Sequence, residues 1–214
     1  MTKINYDQLM LEELKKLDGR KKLLLHVCCG PCSSNIVKEL SEYFDITIYY
    51  SNSNIYPEEE YRRRFNELCV FIEQFNKDEQ RSIDIVEDKY MEFVFRSHLY
   101  PIKDTGERGL RCKLCYHLRM RAAFDYAKSH GYDYWTTSLS VSPHKVSQWI
   151  NEIGESYQCE KPRYLYSDFK KRNGYLKSTQ MTEKYGMYRQ NYCGCMFSYE
   201  EMLKREKEKA EQNK

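Results

Sequence analysis

The cysteines of this sequence are the residues whose type and spacing could do chemistry. Seven of the nine cysteines fall into three tight groups, and thiols at such spacings either ligate metals or exchange electrons. The groups are the run Cys28-Cys29-Gly30-Pro31-Cys32, the pair Cys112 and Cys115, and the pair Cys193 and Cys195. We interpret them as a cysteine-ligated metallocluster with redox chemistry beside it.

The first group follows the apolar residues Leu23-Leu24-Leu25, so it lies where a buried strand should pass into a helix. Backbone N–H groups and the helix dipole at such a turn stabilise anions and lower the pKa of a thiol. Gly30 permits the close turn, and Pro31 suits the first turn of the helix. The alternative is a set of small buried side chains that only fill space.

The second group stands at the start of a predicted helix. Cys112 and Cys115 are three residues apart, which puts both sulfurs on one helix face, as a chelate requires. A compact zinc ribbon has roughly 15–20 residues between its cysteine pairs, whereas 79 residues separate Cys32 from Cys112. Thiolates from distant segments favour an iron–sulfur cluster, and a zinc site built from the same segments is the alternative.

The third group has a single residue between its thiols. A disulfide between Cys193 and Cys195 would be strained and easily reduced. The spacing therefore predicts a dithiol/disulfide pair that stores electrons. The alternative is that these cysteines are two further metal ligands.

Strand and helix patterns alternate along the chain, and they must position these groups. Repeated strand–helix–strand units predict an α/β fold with a mostly parallel sheet and helices on both faces. We expect strands at 23–27, 46–50, 83–86 and 134–138, and helices at 33–43, from Pro57, at 91–95, at 112–130 and at 146–153, with a loop over 101–111. Residues 1–198 are expected to form a single α/β metallocluster domain that includes an N-terminal helical extension (1–20), followed by a charged helical tail (199–214).

The composition is that of a water-soluble globular protein, with 41% hydrophobic and 31% charged residues. No stretch approaches the ~20 apolar residues of a membrane span, so we expect a cytoplasmic protein without a membrane partner. In that reducing compartment, nine cysteines indicate metal binding or redox catalysis rather than a disulfide framework. The net charge of +3 does not indicate a general polyanion binder. Basic clusters interleaved with tyrosines suit RNA, although solvated helix faces would look the same.

Short motifs run from the first predicted strand to the last cysteine pair. They occupy residues 25–32 (LHVCCGPC), 111–119 (RCKLCYHLR), 136–139 (TTSL), 142–145 (SPHK), 169–171 (FKK), 174–175 (GY), 188–190 (YRQ) and 192–195 (YCGC). Taken in this order, they resemble the QueH family of epoxyqueuosine reductases over about residues 20–198.

The resemblance implies roles for the cysteines. A [4Fe-4S] cluster would be bound by Cys28, Cys29, Cys112 and Cys115, and Cys193 with Cys195 would form a redox-active disulfide. Cys32 matches the family motif but is left over once four ligands are assigned. It would bind one additional iron beside the cluster or replace one of the four ligands.

The resemblance also implies a nucleotide-alpha-hydrolase-like (HUP/Rossmann-like) fold. Related tRNA-thiolating enzymes have a glycine-rich phosphate loop after the first strand. This chain has Cys28-Cys29-Gly30 there, with one glycine and no phosphate-cradling groups. We therefore expect no phosphate loop and no use of ATP.

The implied reaction is the last step of queuosine biosynthesis, a tRNA-processing step catalysed by an oxidoreductase. The epoxide of epoxyqueuosine, at the wobble position of the tRNA anticodon, would be reduced with two electrons to queuosine and water. The partners would be a tRNA anticodon stem-loop and an unidentified electron donor. The alternatives are an iron–sulfur-dependent tRNA thiolation enzyme and a zinc-binding thiol redox module without turnover.

Two further sets of residues are candidates for contacts with the substrate. The candidate proton donors are Tyr116, Asp168, His26 and Lys145. The candidate phosphate contacts are Lys170, Lys171, Arg172 and Arg189.

Overall fold

A computed structural model describes residues 4–212 of the chain. Its strands are β1 (Lys21–His26), β2 (Phe44–Tyr50), β3 (Asp84–Glu87), β4 (Tyr134–Thr137) and β5 (Arg163–Tyr164). Its α-helices are α1 (Tyr6–Leu14), α2 (Gly30–Leu40), α3 (Glu58–Glu79), α4 (Glu92–Leu99), α5 (Leu110–Ser129), α6 (Ser147–Ser156), α7 (Gly174–Lys184) and α8 (Met196–Gln212). Two short 3₁₀ helices span Tyr100–Thr105 and Ser138–Val141.

The five strands form one sheet in the order β3-β2-β1-β4-β5, and every pair is parallel. The apolar strand β1 is central: Leu25 pairs with Ile48 of β2 on one side and with Thr136 of β4 on the other. Parallel strands bring their carboxyl ends to the same edge of a sheet. The segment that follows β1 therefore meets the segments that follow β2 and β4.

The two faces of the sheet carry separate packed clusters, because successive side chains of a strand point to opposite faces. Leu23 and Leu25 pack with residues of α1, α2 and α3, while Leu24 packs with residues of α5 and α6. Helices thus cover both faces. The prediction of an α/β fold with a mostly parallel sheet is confirmed.

Three differences from the predicted elements affect the site. Helix α2 begins at Gly30 instead of residue 33, so Cys32 lies in its first turn, where Pro31 is well tolerated. The expected loop over 101–111 contains most of a 3₁₀ helix and the start of α5. Helix α7 and the two-residue strand β5 were not predicted, because α7 is mostly polar and buries little more than Ser178 and Thr182.

The terminal helices contribute to the packing of the protein. Met10 of α1 is fully buried in the cluster that contains β1, and α8 buries Phe197 and Met202 near its start. Most of the rest of α8 is exposed, as its charged sequence predicts. Among the described residues, no helix combines the length and apolar character needed to cross a bilayer.

Candidate active site

The turn after β1 positions the first cysteine group. The side-chain amide of Asn52, which follows β2, donates to the carbonyl of Val27 at 2.8 Å. Cys29 has an extended backbone and occupies the N-cap position of α2. Gly30 lies close to Met187, so that a Cβ on residue 30 would be 3.1 Å from the Met187 sulfur. A side chain at position 30 would therefore crowd the turn.

The sulfur atoms of Cys28, Cys29 and Cys32 all lie within 4.8 Å of one another. Cys28 and Cys29 are almost fully buried, and their sulfurs are 3.9 Å apart. Hydrogen bonds from the thiols of Cys29 and Cys32 hold the pKa of Cys28 well below its usual value, helped by the positive charges of Lys145 and Arg119. The pKa of Cys32 is raised in turn. Three buried sulfurs this close together suit a soft metal centre.

The second cysteine group lies in the first two turns of α5. Gly109 precedes the helix, and a Cβ at this position would overlap the carbonyl of Thr105. The carbonyl of Gly109 accepts a hydrogen bond from the backbone N–H of Cys112 at 3.0 Å. Burial raises the pKa of Cys112. Burial also raises the pKa of Cys115 to about 12, against the positive charge of Arg119.

The third cysteine group is held by the buried side chain of Arg64, from α3. Its Nη1 donates to the carbonyl of Cys193 at 3.2 Å, and its Nη2 donates to the carbonyl of Tyr192 at 3.4 Å. Gly194 has a φ of +129°, and a Cβ there would lie 3.0 Å from Arg64 Nη1. Both thiols are free, and that of Cys195 donates to Ser198 Oγ at 3.4 Å.

Arg64 owes its orientation to an ion pair within α3. Its Nε lies 2.7 Å from an Oε1 of Glu60, and the Arg64 side chain is 3% exposed. The hydroxyl of Tyr188 donates to the same carboxylate at 3.3 Å. Helix α3 therefore anchors the segment 188–195.

A cavity of about 240 Å³ brings two of the cysteine groups together. Its lining includes Cys28, Cys32 and Cys193, together with Arg64 and Lys145. Cys112 packs in the same cluster of side chains as Cys28 and Cys29. The charges of Cys193 and Cys195 both raise the pKa of Cys115, so the second and third groups are neighbours too.

Sequence reasoning treated Gln190 only as part of a motif, but it contacts two cysteines of the first group. Its Nε2 lies 3.2 Å from the sulfur of Cys29 and 3.8 Å from that of Cys32. Its Oε1 has no hydrogen-bond partner among the described residues, and Gln190 lines the cavity.

Arg64 was also missed, because it stands in the basic run Arg62-Arg63-Arg64, which looks like a charged surface. The signal in the sequence was Glu60, four residues earlier, at the spacing of a helical ion pair.

Of the four candidate proton donors, Lys145 lines the cavity with Cys28 and Cys193. Burial opposes its charge, but the electrostatic effect of the neighbouring cysteines outweighs burial and raises the pKa of Lys145. Tyr116 is buried, and burial raises its pKa. Asp168 forms an ion pair with Lys170 at 3.1 Å.

His26 is the last residue of β1, and its side chain links this strand to β4 and to the segment after β2. Its Nδ1 lies 2.8 Å from the hydroxyl of Thr137, and its Nε2 donates to the carbonyl of Ser51 at 3.2 Å. Burial lowers its pKa to about 3, assisted by the charge of Arg119, so the imidazole is neutral. Both ring nitrogens are used by the protein.

The four candidate phosphate contacts differ in whether their charged groups already have partners within the protein. Lys170 donates to the carbonyl of Ser140 at 3.0 Å and pairs with Asp168. Arg172 pairs with Asp7 at 3.1 Å and with Glu39 at 2.5 Å.

The other two candidates are exposed. Lys171 forms no ion pair among residues 4–212. Arg189 lines the cavity mouth, where it donates to the hydroxyl of Tyr175 at 2.7 Å and to that of Thr179 at 2.8 Å.

Comparison with known proteins gives consistent matches. A family model described as epoxyqueuosine reductase QueH matches residues 23–201. Epoxyqueuosine reductase QueH of Streptococcus pyogenes serotype M1 is 39% identical over 200 residues, covering 92% of this chain and 78% of the relative. The protein of that name from Staphylococcus aureus strain Mu50 is 41% identical over 206 residues, covering 92% and 84%. The Thermotoga maritima protein is 28% identical over 194 residues, covering 88% and 94%.

Proposed function

The chain belongs to the epoxyqueuosine reductase QueH family, and from this we propose that it reduces the epoxide of epoxyqueuosine, in a tRNA anticodon, to the alkene of queuosine. One observation carries the proposal: Cys193 of the redox pair opens into the same cavity as Cys28 and Cys32. A thiol pair and a cysteine centre at one cavity can together act on one bound group.

The redox pair supplies the electron balance of the reaction. Both carbon–oxygen bonds of the epoxide break, a carbon–carbon double bond forms, and the oxygen leaves as water. This takes up two electrons and two protons. Oxidation of the thiols of Cys193 and Cys195 to a disulfide releases the same number, and an external reductant must then restore the thiols.

The donor set fits a soft metal or an iron–sulfur cluster, because it contains three thiol sulfurs that lie within 4.8 Å of one another, two of them on buried residues. We propose that a [4Fe-4S] cluster is held by Cys28, Cys29, Cys112 and Cys115. Cys32 lies within 4.8 Å of the first two sulfurs, so it is positioned to bind an additional iron or to replace one ligand. When bound, the cluster would supply single electrons and an iron that acts as a Lewis acid on oxygen.

Cations of the chain support the departure of the oxygen. Lys145 and Arg64 line the cavity, where positive charge stabilises negative charge that develops on the epoxide oxygen. Lys145 Nζ is the proton donor that we propose, because it lines the cavity and carries three exchangeable protons. Gln190, which lines the cavity beside Cys29 and Cys32, would contact the substrate there.

The cavity mouth suits a single-stranded anticodon loop. Tyr175 is 43% exposed there, and the Arg189 guanidinium lies 5.5 Å from the centre of its ring. Unstacked RNA bases bind to such aromatic faces, and arginine binds the adjoining phosphates. We propose that Tyr175 and Arg189 hold the nucleotides next to the modified base.

The direct test is turnover of an anticodon stem-loop that carries epoxyqueuosine. Anaerobically purified protein is incubated with the RNA and a chemical reductant, and the nucleosides are identified by mass spectrometry. We expect queuosine to appear, with iron and sulfide present in the protein. Cys69→Ser is the matched control, because Cys69 is a partly buried free cysteine of α3 that belongs to none of the three groups, and the variant should keep full activity. A metal-loaded protein that leaves epoxyqueuosine unchanged would contradict the proposal.

A further inference from the structure

Arg119 is a permanently charged side chain enclosed by the protein. It lies on α5 with 3% of its surface exposed, and a terminal nitrogen donates to Asn52 Oδ1. Its Nε has no hydrogen-bond partner among the described residues. A buried guanidinium keeps its charge, so it needs a compensating negative charge nearby.

The other two buried arginines of residues 4–212 each have a carboxylate. Arg64 pairs with Glu60 at 2.7 Å, and Arg111 lies 3.9 Å from Glu201. Arg119 has no carboxylate partner in this part of the chain. Its compensating charge must therefore come from another kind of group.

The groups around Arg119 that can become negative are thiols. Cys115 lies one turn earlier on α5, at the i, i+4 spacing of side chains that meet on one helix face. Cys28 shares the lining of the cavity with Arg119. The positive charge of Arg119 lowers the pKa of Cys28, after the larger effects of the neighbouring thiols. The nearby His26 is neutral, and Lys145 is a second cation.

We propose that Arg119 is the internal counter-cation of the cysteine centre. It compensates the negative charge of the thiolate ligands Cys28 and Cys115 when the metal group is bound. It thereby raises the reduction potential of the bound group. The proposal rests on the proposed function, which makes these cysteines ligands. It assigns to Arg119 an electrostatic role that is separate from substrate binding.

The physical basis is the change of charge on reduction. An iron–sulfur centre with several thiolate ligands is negative, and an added electron makes it more so. A fixed positive charge in a poorly solvated site stabilises the reduced form more than the oxidised form. The metal-free cysteines carry less negative charge than a centre held by several thiolates, so the charge of Arg119 contributes less to stability there.

The first experiment measures the reduction potential of protein reconstituted with iron and sulfide. Arg119→Gln removes the charge and Arg119→Lys keeps it. Arg121→Gln is the matched control, because Arg121 is exposed on the same helix and pairs with Asp125 at 2.7 Å. We expect a more negative potential for Arg119→Gln, a much smaller shift for Arg119→Lys, and no shift for Arg121→Gln. Equal potentials in all four fully loaded proteins would overturn the proposal.

The second experiment compares thermal unfolding with and without the metal centre. Charge compensation predicts that Arg119→Gln lowers the stability of the loaded protein more than that of the metal-free protein. A role limited to the contact with Asn52 predicts equal loss in both forms, and that result would overturn the proposal.

Metal content separates the remaining outcomes. Loss of iron in Arg119→Gln but not in Arg119→Lys supports the charge role, whereas equal loss in both variants contradicts it. A wild-type protein that takes up no iron and sulfide contradicts the proposed metal centre as well as the role of Arg119. Full loading with unchanged potentials contradicts the role of Arg119 alone.

Discussion

The guanidinium of Arg64 donates a hydrogen bond to the backbone carbonyl of Cys193 across 3.2 Å. A helix of the first half of the chain thereby sets the position of a cysteine in the last segment. Because Arg64 binds the backbone carbonyl and not the sulfur, it fixes the position of the Cys193 thiol without neutralising a charge on the sulfur. The proposed redox pair, Cys193 and Cys195, depends in this way on a buried ion pair that contains no cysteine.

Replacing Glu60 with Gln should destabilise the protein, because it leaves the charge of buried Arg64 without its carboxylate. We expect the free energy of unfolding in urea to fall by about 3 kcal/mol. Glu58→Gln is the matched control: Glu58 is exposed on the same helix, 3.7 Å from Arg62, and its loss should cost less than about 0.5 kcal/mol. Similar losses in both variants would show that the buried pair has no special role.

Replacing Gly194 with Ala should displace the redox pair, because the new Cβ would lie 3.0 Å from Arg64 Nη1 and 3.3 Å from Ile55. Gly19→Ala is the control, since Gly19 also has a positive φ (+149°) but no atom within 4 Å of its ideal Cβ. Both variants carry backbone strain of roughly 1–3 kcal/mol. We expect only Gly194→Ala to lose reductase activity, by at least about tenfold, since small misplacements of reacting groups have large effects on rate. Equal activity in the two variants would contradict this.

Replacing both Cys193 and Cys195 with Ser should abolish turnover and leave the iron and sulfide content unchanged. The reason is that serine cannot form a disulfide, while the proposed ligands are other cysteines. The metal content is measured together with the absorption spectrum, again with Cys69→Ser as the control. If the double variant loses its iron, the pair ligates the metal and the electron-storing role is wrong.

Replacing Arg189 with Ala should weaken binding of the anticodon stem-loop, because it removes a cation from the cavity mouth. We expect the slope of log affinity against log salt concentration to decrease by about 1. Lys177→Ala, at an exposed position of the adjacent helix α7, should leave both quantities unchanged. An unchanged affinity for Arg189→Ala would place the RNA elsewhere.

Local patterns predicted the elements that carry the cysteines. The apolar run of β1 and the following Gly30-Pro31 specify a buried strand, a close turn and a helix, and all three are present. The predicted boundaries differ from the observed ones by two or three residues. The start of α2 was misplaced because Pro31 is compatible with a position before the helix or in its first turn.

Distances between segments could not be predicted in the same way. Nothing in the sequence places Gln190 against Cys29, because that contact depends on how the segment after α7 returns to the sheet edge. Arg172 illustrates the same limit. Its charge indicated contact with a phosphate, but Asp7 and Glu39, which are distant in the sequence, pair with it in the folded protein.

The dispersal of the cysteine groups along the chain has a consequence for biosynthesis. Cys115 follows Cys29 by 86 positions, and a ribosome adding roughly 5–20 residues per second needs about 4 to 17 s to make that stretch. Throughout this interval the nascent chain holds the thiols of Cys28 and Cys29 without the other two proposed ligands. Metal delivered earlier would meet an incomplete set of ligands, so a centre of this composition would need either a late donor or a carrier that protects the early thiols.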